Sequence, residues 1–205
     1  MTIQVFCPKW YYQGQLSEEN QTEVRDLFSD FLSNSDNFTQ PETWKCNVTS
    51  SFQTEGNMNA PWDKFMNIMK PSFDEFIDQT GALQEIQVLI ENAWANKYNP
   101  GDSQEYHDHC TPSSNLSMVY FYELNDDDGC EFVFYNGEHA PYKLSGLADT
   151  IMCPVEMVTK PKVSQGDVLF FPSHYPHLVS PHRGTRERIT FSANFKVIPK
   201  GFGDS

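Results

Sequence analysis

The stretch GDSQEYHDH, residues 101–109, decides how the fold of this chain is predicted. If this stretch ends as a β-strand, the side chains of His107 and His109 project from the same face, because alternate residues of a strand do so. Two imidazoles placed in this way would repel each other on protonation unless a metal ion or a carboxylate held them. We therefore predict that His107 and His109 bind a metal ion.

A second stretch, GDVLFFPSHYPH at residues 166–177, supplies a third imidazole. Three imidazoles occupy half of an octahedral site and leave the opposite positions open for substrate, water or oxygen. This arrangement suits redox-active iron better than a closed structural zinc, so we predict a mononuclear metal site. A lone histidine in a β-domain is more often a structural residue, and we assign that role to His139, His174 and His182.

Strand-like hydrophobic periodicity dominates the chain after Gly81. Ile86, Val88 and Ile90 lie on one face of a long strand, and turn residues separate the strands that follow. The predicted strands are residues 86–98, 104–109, 117–123, 131–135, 155–159, 167–171, 176–180 and 188–197. Eight strands of this length fit a double-sheet jelly roll.

Two amphipathic helices are predicted before this strand-rich region. Ser17 caps the first helix, whose apolar residues recur at three- and four-residue spacing. Pro61 lies in the first turn of the second helix and Gly81 ends it, while Pro71 should kink or split it. Short strands are also predicted at residues 2–6 and 44–52.

Composition excludes several classes of partner. The 14 basic and 28 acidic residues give a formal charge of −14, which repels phosphate backbones, so we expect no nucleic-acid partner.

A length of 205 residues fits a single domain, residues 1–205. The five cysteines are scattered and odd in number, and the sequence has neither a leader pattern nor a long apolar segment. We therefore expect a cytoplasmic protein without a membrane partner.

Several short motifs together resemble a known enzyme family. They are Trp94-x-Asn96-x-Tyr98-x-x-Gly101, His107-x-His109, Leu116-Ser117-x-Val119-Tyr120, GDVLFFP at residues 166–172, His177-x-Val179 and Arg188-Ile189-Thr190-Phe191-Ser192. In order and spacing they resemble the double-stranded β-helix of the Fe(II)- and 2-oxoglutarate-dependent oxygenases. The likeness is greatest to a group of such oxygenases from marine bacteria and cyanobacterial phages, and more distant to prolyl hydroxylases. It covers residues 86–197.

This resemblance implies a fold, an activity and two cofactors. The implied fold is mainly β with flanking helices. It has a double-stranded β-helix (jelly roll, cupin-like) core at residues 83–200, with helices from residues 1–82 packed on one sheet. The implied activity is hydroxylation of a protein side chain or a small metabolite, with oxidative decarboxylation of 2-oxoglutarate to succinate. The implied cofactors are Fe(II) and 2-oxoglutarate, the partner is a small-molecule or peptide substrate, and the location is the host cytoplasm if a phage encodes the protein.

The resemblance also implies roles for single residues. His177 matches the distal iron ligand, and His174 is its competitor three residues earlier. Arg188 matches the arginine that binds the far carboxylate of 2-oxoglutarate, a task that suits the fork of a guanidinium. Arg186 lies on the same strand face two residues earlier and is the alternative.

Two tyrosines match family positions near the cosubstrate. Tyr98 matches a tyrosine at the mouth of the barrel, and Tyr120 matches a second contact to 2-oxoglutarate. Both are equally explained as core aromatic residues whose hydroxyl groups find backbone partners. We expect Thr190 and Ser192 to lie with Arg188 on the strand face that points into the barrel.

The metal-binding motif departs from the family pattern. The family has His-x-Asp or His-x-Glu, whereas this sequence has His109 at the third position and the carboxylate, Asp108, at the second. On a regular strand Asp108 points away from His107, so we predict a three-histidine site formed by His107, His109 and His177. A β-bulge would instead bring Asp108 into the site.

Two other functions fit the same residues. Gly101 with His107-x-His109, and Gly166 with Pro172 and His177, resemble the two cupin motifs, although the glutamate expected after His109 is missing. They imply a cupin-type three-histidine metal dioxygenase that does not use 2-oxoglutarate. A metal-free jelly roll that serves as a viral structural protein is the third hypothesis. Bound iron separates the enzymes from the structural protein, and consumption of 2-oxoglutarate separates the two enzymes.

Overall fold

Two antiparallel β-sheets form the centre of the fold in a computed structural model that describes residues 9–81, 85–124, 131–146 and 156–200. The strands are β1 (Tyr12–Gln15), β2 (Thr49–Ser50), β3 (Ile86–Tyr98), β4 (Gln104–His107), β5 (Leu116–Glu123), β6 (Phe132–Tyr135), β7 (Val158–Thr159), β8 (Asp167–Pro172), β9 (His177–Val179) and β10 (Arg188–Pro199). The larger sheet has the order β1-β8-β5-β10-β3-β2, and the smaller sheet has the order β4-β9-β6-β7. This architecture confirms the predicted mainly β, jelly-roll fold class.

All eight strands predicted after Gly81 have a counterpart in these sheets. Two strands differ most: β4 ends at His107, so that His109 lies beyond the strand, and β7 has only two residues of the predicted range 155–159, of which residue 155 lies outside the described part of the chain. The strand predicted at residues 44–52 shrinks to the two residues of β2, and β1 was not predicted. The strand predicted at residues 2–6 lies outside the described residues.

Four helices accompany the sheets: α1 (Glu18–Ser33), α2 (Glu55–Met58), α3 (Trp62–Thr80) and α4 (His139–Leu144). The Ser17 side chain accepts a hydrogen bond from the Asn20 amide and caps α1, as predicted. Gly81 ends α3 in the left-handed conformation with φ 61°. Pro71 does not split α3, which stays one helix because apolar side chains on both sides of the proline are buried. No helix in the described part of the chain is both long and apolar enough to cross a membrane.

The helices cover one face of the larger sheet and form the helix-side core with it. Phe28 of α1 lies 4.6 Å from Phe191 of β10, and Phe73 of α3 lies 4.5 Å from Phe170 of β8, measured between ring centroids. These contacts bury α1 and α3 on the sheet, which matches the prediction that N-terminal helices pack on one sheet.

The opposite face of the larger sheet meets the smaller sheet in the inter-sheet core. Phe121, Leu169 and Phe171 come from the larger sheet, while Phe132, Phe134 and Val179 come from the smaller one. Because β8 is covered on both faces, all six of its residues are buried, and after Asp167 its sequence is a continuous apolar run. The candidate functional residues lie at one end of this inter-sheet space.

Candidate metal centre

Three histidine side chains converge where β4 and β9 pair. His107, the last residue of β4, lies opposite His177, the first residue of β9, and His109 follows two residues after β4. One ligand nitrogen from each ring lies within 4.8 Å of the others. The ring centroids are separated by 4.3 Å for His107 and His177, 5.2 Å for His107 and His109, and 5.0 Å for His109 and His177. We call these three residues the histidine cluster.

Hydrogen bonds to Nδ1 orient each imidazole in the histidine cluster. The Nδ1 atom of His107 lies 2.7 Å from the carbonyl oxygen of Glu105, and that of His177 lies 2.9 Å from the carbonyl oxygen of Tyr175. A carbonyl oxygen only accepts, so both Nδ1 atoms carry the proton and both Nε2 atoms keep a lone pair. This is the tautomer that a metal-binding histidine requires when Nε2 is its ligand atom.

A buried polar network holds the third ring. The Nδ1 atom of His109 lies 2.8 Å from Oδ1 of Asn194, which also accepts a hydrogen bond from the Ser117 hydroxyl at 2.8 Å. The amide nitrogen of Asn194 donates to Oδ1 of Asn92 at 3.0 Å, which fixes the orientation of the amide. The Ser117 hydroxyl also lies 2.9 Å from that of Ser173. These contacts give His109 the same protonated Nδ1 as the other two histidines.

Burial keeps the cluster uncharged. The pKa of His109 falls to about 4, chiefly because burial penalises the imidazolium and secondarily because of the nearby His107. Burial likewise lowers the pKa of His107, and it lowers that of His177 well below the usual range, with help from the other two imidazoles. A neutral imidazole is the form that binds a metal ion, so the site is prepared for one without losing protons.

Arg188 lies in a narrow cavity that also contains the histidine cluster. The side chain is fully buried, and its guanidinium carbon is 5.4 Å from the Tyr98 ring centroid and 5.6 Å from that of Phe121. Thr190 and Ser192 line the same cavity, as expected for alternate residues of β10. Arg186 is exposed, so the strand register favours Arg188 as the inward-pointing arginine.

Gln104 belongs to this cavity although the sequence did not single it out. Its side-chain oxygen accepts a 2.8 Å hydrogen bond from the Tyr98 hydroxyl, and the residue is 9% exposed. Gln104 and His107 are three residues apart, and strict alternation would place them on opposite faces of β4. A register shift between these two residues in the pairing with β9 brings both into the cavity.

The sequence signalled Asn194 more clearly than Gln104. Polar residues alternate with apolar ones along β10, which reads Arg188, Thr190, Ser192 and Asn194 on the inter-sheet face. A polar face that points into a buried space needs partners, so the pattern could have been extended from Ser192 to Asn194.

The structure does not bring Tyr120 to the cavity. Its ring packs on the helix side of the larger sheet, 5.7 Å from Phe65 and 6.0 Å from Phe191, and burial raises the pKa of its phenol to about 12. Tyr120 follows Val119 on β5, and it is Val119 that faces the cavity. The predicted contact of Tyr120 with a cosubstrate is corrected accordingly.

The competing ligands lie outside the histidine cluster. Asp108 is exposed, its Oδ1 accepts a hydrogen bond from the Cys110 amide at 2.9 Å, and its carboxylate does not belong to the group of ligand atoms within 4.8 Å of one another. His174 is exposed and lies beside Tyr175. His182 is buried elsewhere, with Nε2 2.6 Å from the carbonyl oxygen of Arg186.

Comparisons with known proteins agree with this architecture. A family model described as "Putative 2OG-Fe(II) oxygenase", where 2OG is 2-oxoglutarate, matches residues 92–194, half of the chain. Comparison with curated protein sequences gives no match.

Solved structures share the fold at low identity. A prolyl-4-hydroxylase from Pseudomonas putida is 15% identical, with 92% of each chain covered and a TM-score of 0.52. The viral collagen prolyl hydroxylase of Paramecium Bursaria Chlorella virus-1 is 14% identical, with 91% of this chain and 96% of that chain covered and a TM-score of 0.54. A prolyl hydroxylase from Trichoplax adhaerens, in complex with a hypoxia inducible factor peptide fragment, is 14% identical, with 90% of this chain and 82% of that chain covered and a TM-score of 0.61.

Proposed function

Because the chain belongs to the 2OG-Fe(II) oxygenase family, whose members use Fe(II) and 2-oxoglutarate, we propose that it hydroxylates a protein side chain or a small metabolite. The observation that carries this proposal is the convergence of His107, His109 and His177 within 4.8 Å. All three rings are oriented by Nδ1 hydrogen bonds and kept neutral by burial, and imidazole nitrogen is a suitable ligand for iron. We assign these three residues as the iron ligands.

Arg188 is the proposed anchor for the far carboxylate of 2-oxoglutarate. A guanidinium can donate two parallel hydrogen bonds to a carboxylate, and the buried position of Arg188 strengthens such a contact. Thr190 and Ser192 add hydroxyl groups on the same strand face, and Tyr98 closes the cavity over the guanidinium. The cavity itself has a volume of only about 10 Å³, so side chains such as Gln104 have to shift when a dicarboxylate binds.

When bound, Fe(II) and 2-oxoglutarate supply an oxidation in which one atom of O2 enters a substrate C–H bond, the other enters succinate, and CO2 is released. The protein residues position the reactants and keep water away. The apolar walls formed by Val119, Phe132 and Val179 shelter the space beside the histidine cluster. The formal charge of −14 supports a substrate other than nucleic acid.

A second candidate function is favoured by one observation. The exposed position of Asp108 leaves three histidines and no carboxylate as ligands among the described residues, and this donor set is typical of cupin-type metal dioxygenases that do not use 2-oxoglutarate. The buried Arg188 favours the first function, because a cation facing the histidine cluster provides a site for an anionic cosubstrate.

Anaerobic titration of the Fe(II)-loaded protein with 2-oxoglutarate tests the proposal. We expect a metal-to-ligand charge-transfer band to appear on addition of 2-oxoglutarate, and succinate to form when air is admitted. The band should be absent from His177→Ala, which lacks one of the proposed ligands. Bound iron without a band and without succinate would reject this function in favour of the cupin type, and the lack of bound iron would reject both.

A further inference from the structure

A second cavity opens beside the histidine cluster and differs in charge from the one that contains Arg188. It has a volume of about 270 Å³ and shares His107, His109, Trp94 and Gln104 with the narrow cavity. Its remaining walls consist of aromatic rings, two carboxylates and small polar side chains: Trp44, Phe52, Asn92, Glu105, Asp108, Thr111 and Asn194. We call it the acidic cleft, since no lysine or arginine of the described chain lines it.

One wall of the acidic cleft is a continuous series of aromatic rings. The ring of Trp44 stacks on that of Phe52 with a centroid distance of 5.9 Å, and Phe52 lies edge-on to Trp94 at 5.2 Å. Trp94 in turn lies 5.6 Å from the imidazole of His109. The wall therefore leads from the surface to the histidine cluster and presents π faces to any group that enters.

The two carboxylates give the acidic cleft its charge. Oε1 of Glu105 accepts a 2.7 Å hydrogen bond from the backbone amide of Lys45. Oε2 of Glu105 is buried, and the Cys46 thiol donates a hydrogen bond to this carboxylate, so the Lys45 amide and the Cys46 thiol together hold Glu105 in place at the side of the cleft. Asp108 adds a second, exposed carboxylate on the same cavity.

The acidic cleft continues into a larger surface cavity. This cavity has a volume of about 540 Å³ and shares Phe52 and Asn92 with the cleft. Its charged lining residues are Asp63 and Glu91, again without lysine or arginine among the described residues. A substrate longer than a single side chain therefore has room along a path of one charge sign.

We propose that the substrate carries a cationic side chain of the lysine or arginine type, which enters the acidic cleft between Glu105, Asp108 and the aromatic wall. This inference rests on the proposed function, since it names the substrate of the same site. A cation would be attracted by the charges of Glu105 and Asp108 and would contact the faces of Trp44 and Phe52. A neutral substrate would gain no such attraction, and an anionic one would be repelled.

The distribution of charge also gives 2-oxoglutarate and the substrate separate binding places. The anionic cosubstrate meets the cation Arg188 in the narrow cavity, whereas the cationic substrate meets Glu105 and Asp108 in the acidic cleft. Both cavities border His107 and His109, so each molecule reaches the histidine cluster from its own side.

Calorimetric binding to the protein loaded anaerobically with Fe(II) and 2-oxoglutarate tests the inference without turnover. The ligands are a capped pentapeptide of glycine and alanine with a central lysine, the same peptide with central arginine, norleucine or glutamate, and the corresponding free amino acids. We expect a lysine or arginine ligand to bind about tenfold more tightly than its norleucine counterpart, as for a charged hydrogen bond, and to weaken as salt is added. Tight binding of the peptide but not of the free amino acid would indicate a protein substrate. Tight binding of the free amino acid as well would indicate a metabolite.

Two variants and a matched control identify the carboxylates responsible. Glu105→Gln and Asp108→Asn should each reduce the preference for the cationic ligand, and Asp108→Asn covers the case in which Glu105→Gln disturbs folding. Glu23→Gln removes the same charge from an exposed position on α1 and should keep the full preference. Equal binding of lysine and norleucine ligands, no binding of either, or a preference that survives in both variants would overturn the inference. Because succinate formation is measured separately, these results are distinct from failure of the proposed function.

Discussion

At the scale of single residues, His109 is held differently from the other two histidines of the cluster. His107 and His177 donate to backbone carbonyl oxygens two residues earlier in the chain, a contact that no substitution of the acceptor residue removes. His109 donates to the side chain of Asn194 on β10, the strand that also carries Arg188. Asn194 therefore links the proposed metal ligand to the proposed cosubstrate anchor, and mutation can test this link.

Replacement of Asn194 should weaken metal binding without removing a ligand. Asn194→Leu has a similar size but no acceptor for Nδ1 of His109, so we expect the affinity for Fe(II) to fall about 10- to 100-fold, the usual effect of losing such a partner. Asn194→Asp keeps an acceptor oxygen and should retain most of the affinity. Competition with a coloured chelator measures both, and equal affinities of the wild type and Asn194→Leu would contradict the positioning role.

Replacement of Arg188 tests the cosubstrate anchor. Arg188→Lys keeps the charge but loses the fork of the guanidinium, so the binding free energy of 2-oxoglutarate should weaken by about 1–3 kcal/mol. Iron binding should persist, because Arg188 is not a proposed ligand. The exposed Arg186 is the matched control, and Arg186→Lys should change neither affinity. The reverse pattern, measured by the same anaerobic titration, would assign the anchor to Arg186.

At the scale of elements, α3 carries a proline in its interior and tolerates it through packing. Pro71 is exposed and has no amide to donate, yet Met69 before it and Phe76 after it are both buried in the helix-side core. The helix therefore continues through a residue that is locally unfavourable. The cost of this residue should be recoverable, since the Pro71 side chain is exposed and does not belong to the helix-side core.

Pro71→Ala should stabilise the protein. Alanine restores a backbone amide donor in the helix and removes the clash of the proline ring. It also raises the conformational entropy of the unfolded chain, which offsets part of the gain. The free energy of unfolding should therefore rise by about 1–2 kcal/mol. Lys64→Ala, at another exposed position of α3, should change it by less than about 0.5 kcal/mol. Urea denaturation measures both, and an unchanged or lower value for Pro71→Ala would contradict the argument.

The sequence predicted best those helices and strands in which one face is apolar and the other is polar. Helix α1 and strand β3 have clear periodicity, and their predicted positions agree with the structure. Strand β5 was also predicted, but seven of its eight residues are buried, so its pattern does not show which face meets the helices. The pattern of β5 therefore left both interpretations of Tyr120 open, and the structure agrees with the core-aromatic one, whereas the polar alternation along β10 indicates one shared face for Arg188, Thr190 and Ser192. Gln104 required a register shift that no short sequence pattern indicates.

At the scale of the whole molecule, the histidine cluster connects the two sheets. His107 and His177 belong to strands of the smaller sheet, while His109 is tied through Asn194 and Ser117 to strands of the larger one. An ion bound to all three nitrogens would therefore hold the sheets together at this end of the inter-sheet core. Such binding stabilises the folded chain, because the unfolded chain does not present the three imidazoles together.

Metal binding should consequently raise the thermal stability of the whole molecule. At a free Fe(II) concentration about 100 times the dissociation constant, linkage adds about 2.7 kcal/mol, which corresponds to a rise in Tm of about 5–10 °C for a chain of this size. Anaerobic scanning calorimetry with Fe(II), and again after addition of a chelator, measures the rise and its reversal. His177→Ala should abolish the metal-dependent rise, whatever its own Tm, because it removes one ligand from β9. His174→Ala is the matched control, since this exposed histidine lies three residues away outside the cluster, and the variant should keep the full rise. A rise that survived in His177→Ala and vanished in His174→Ala would assign the third ligand to His174 and require a different pairing of β4 with β9.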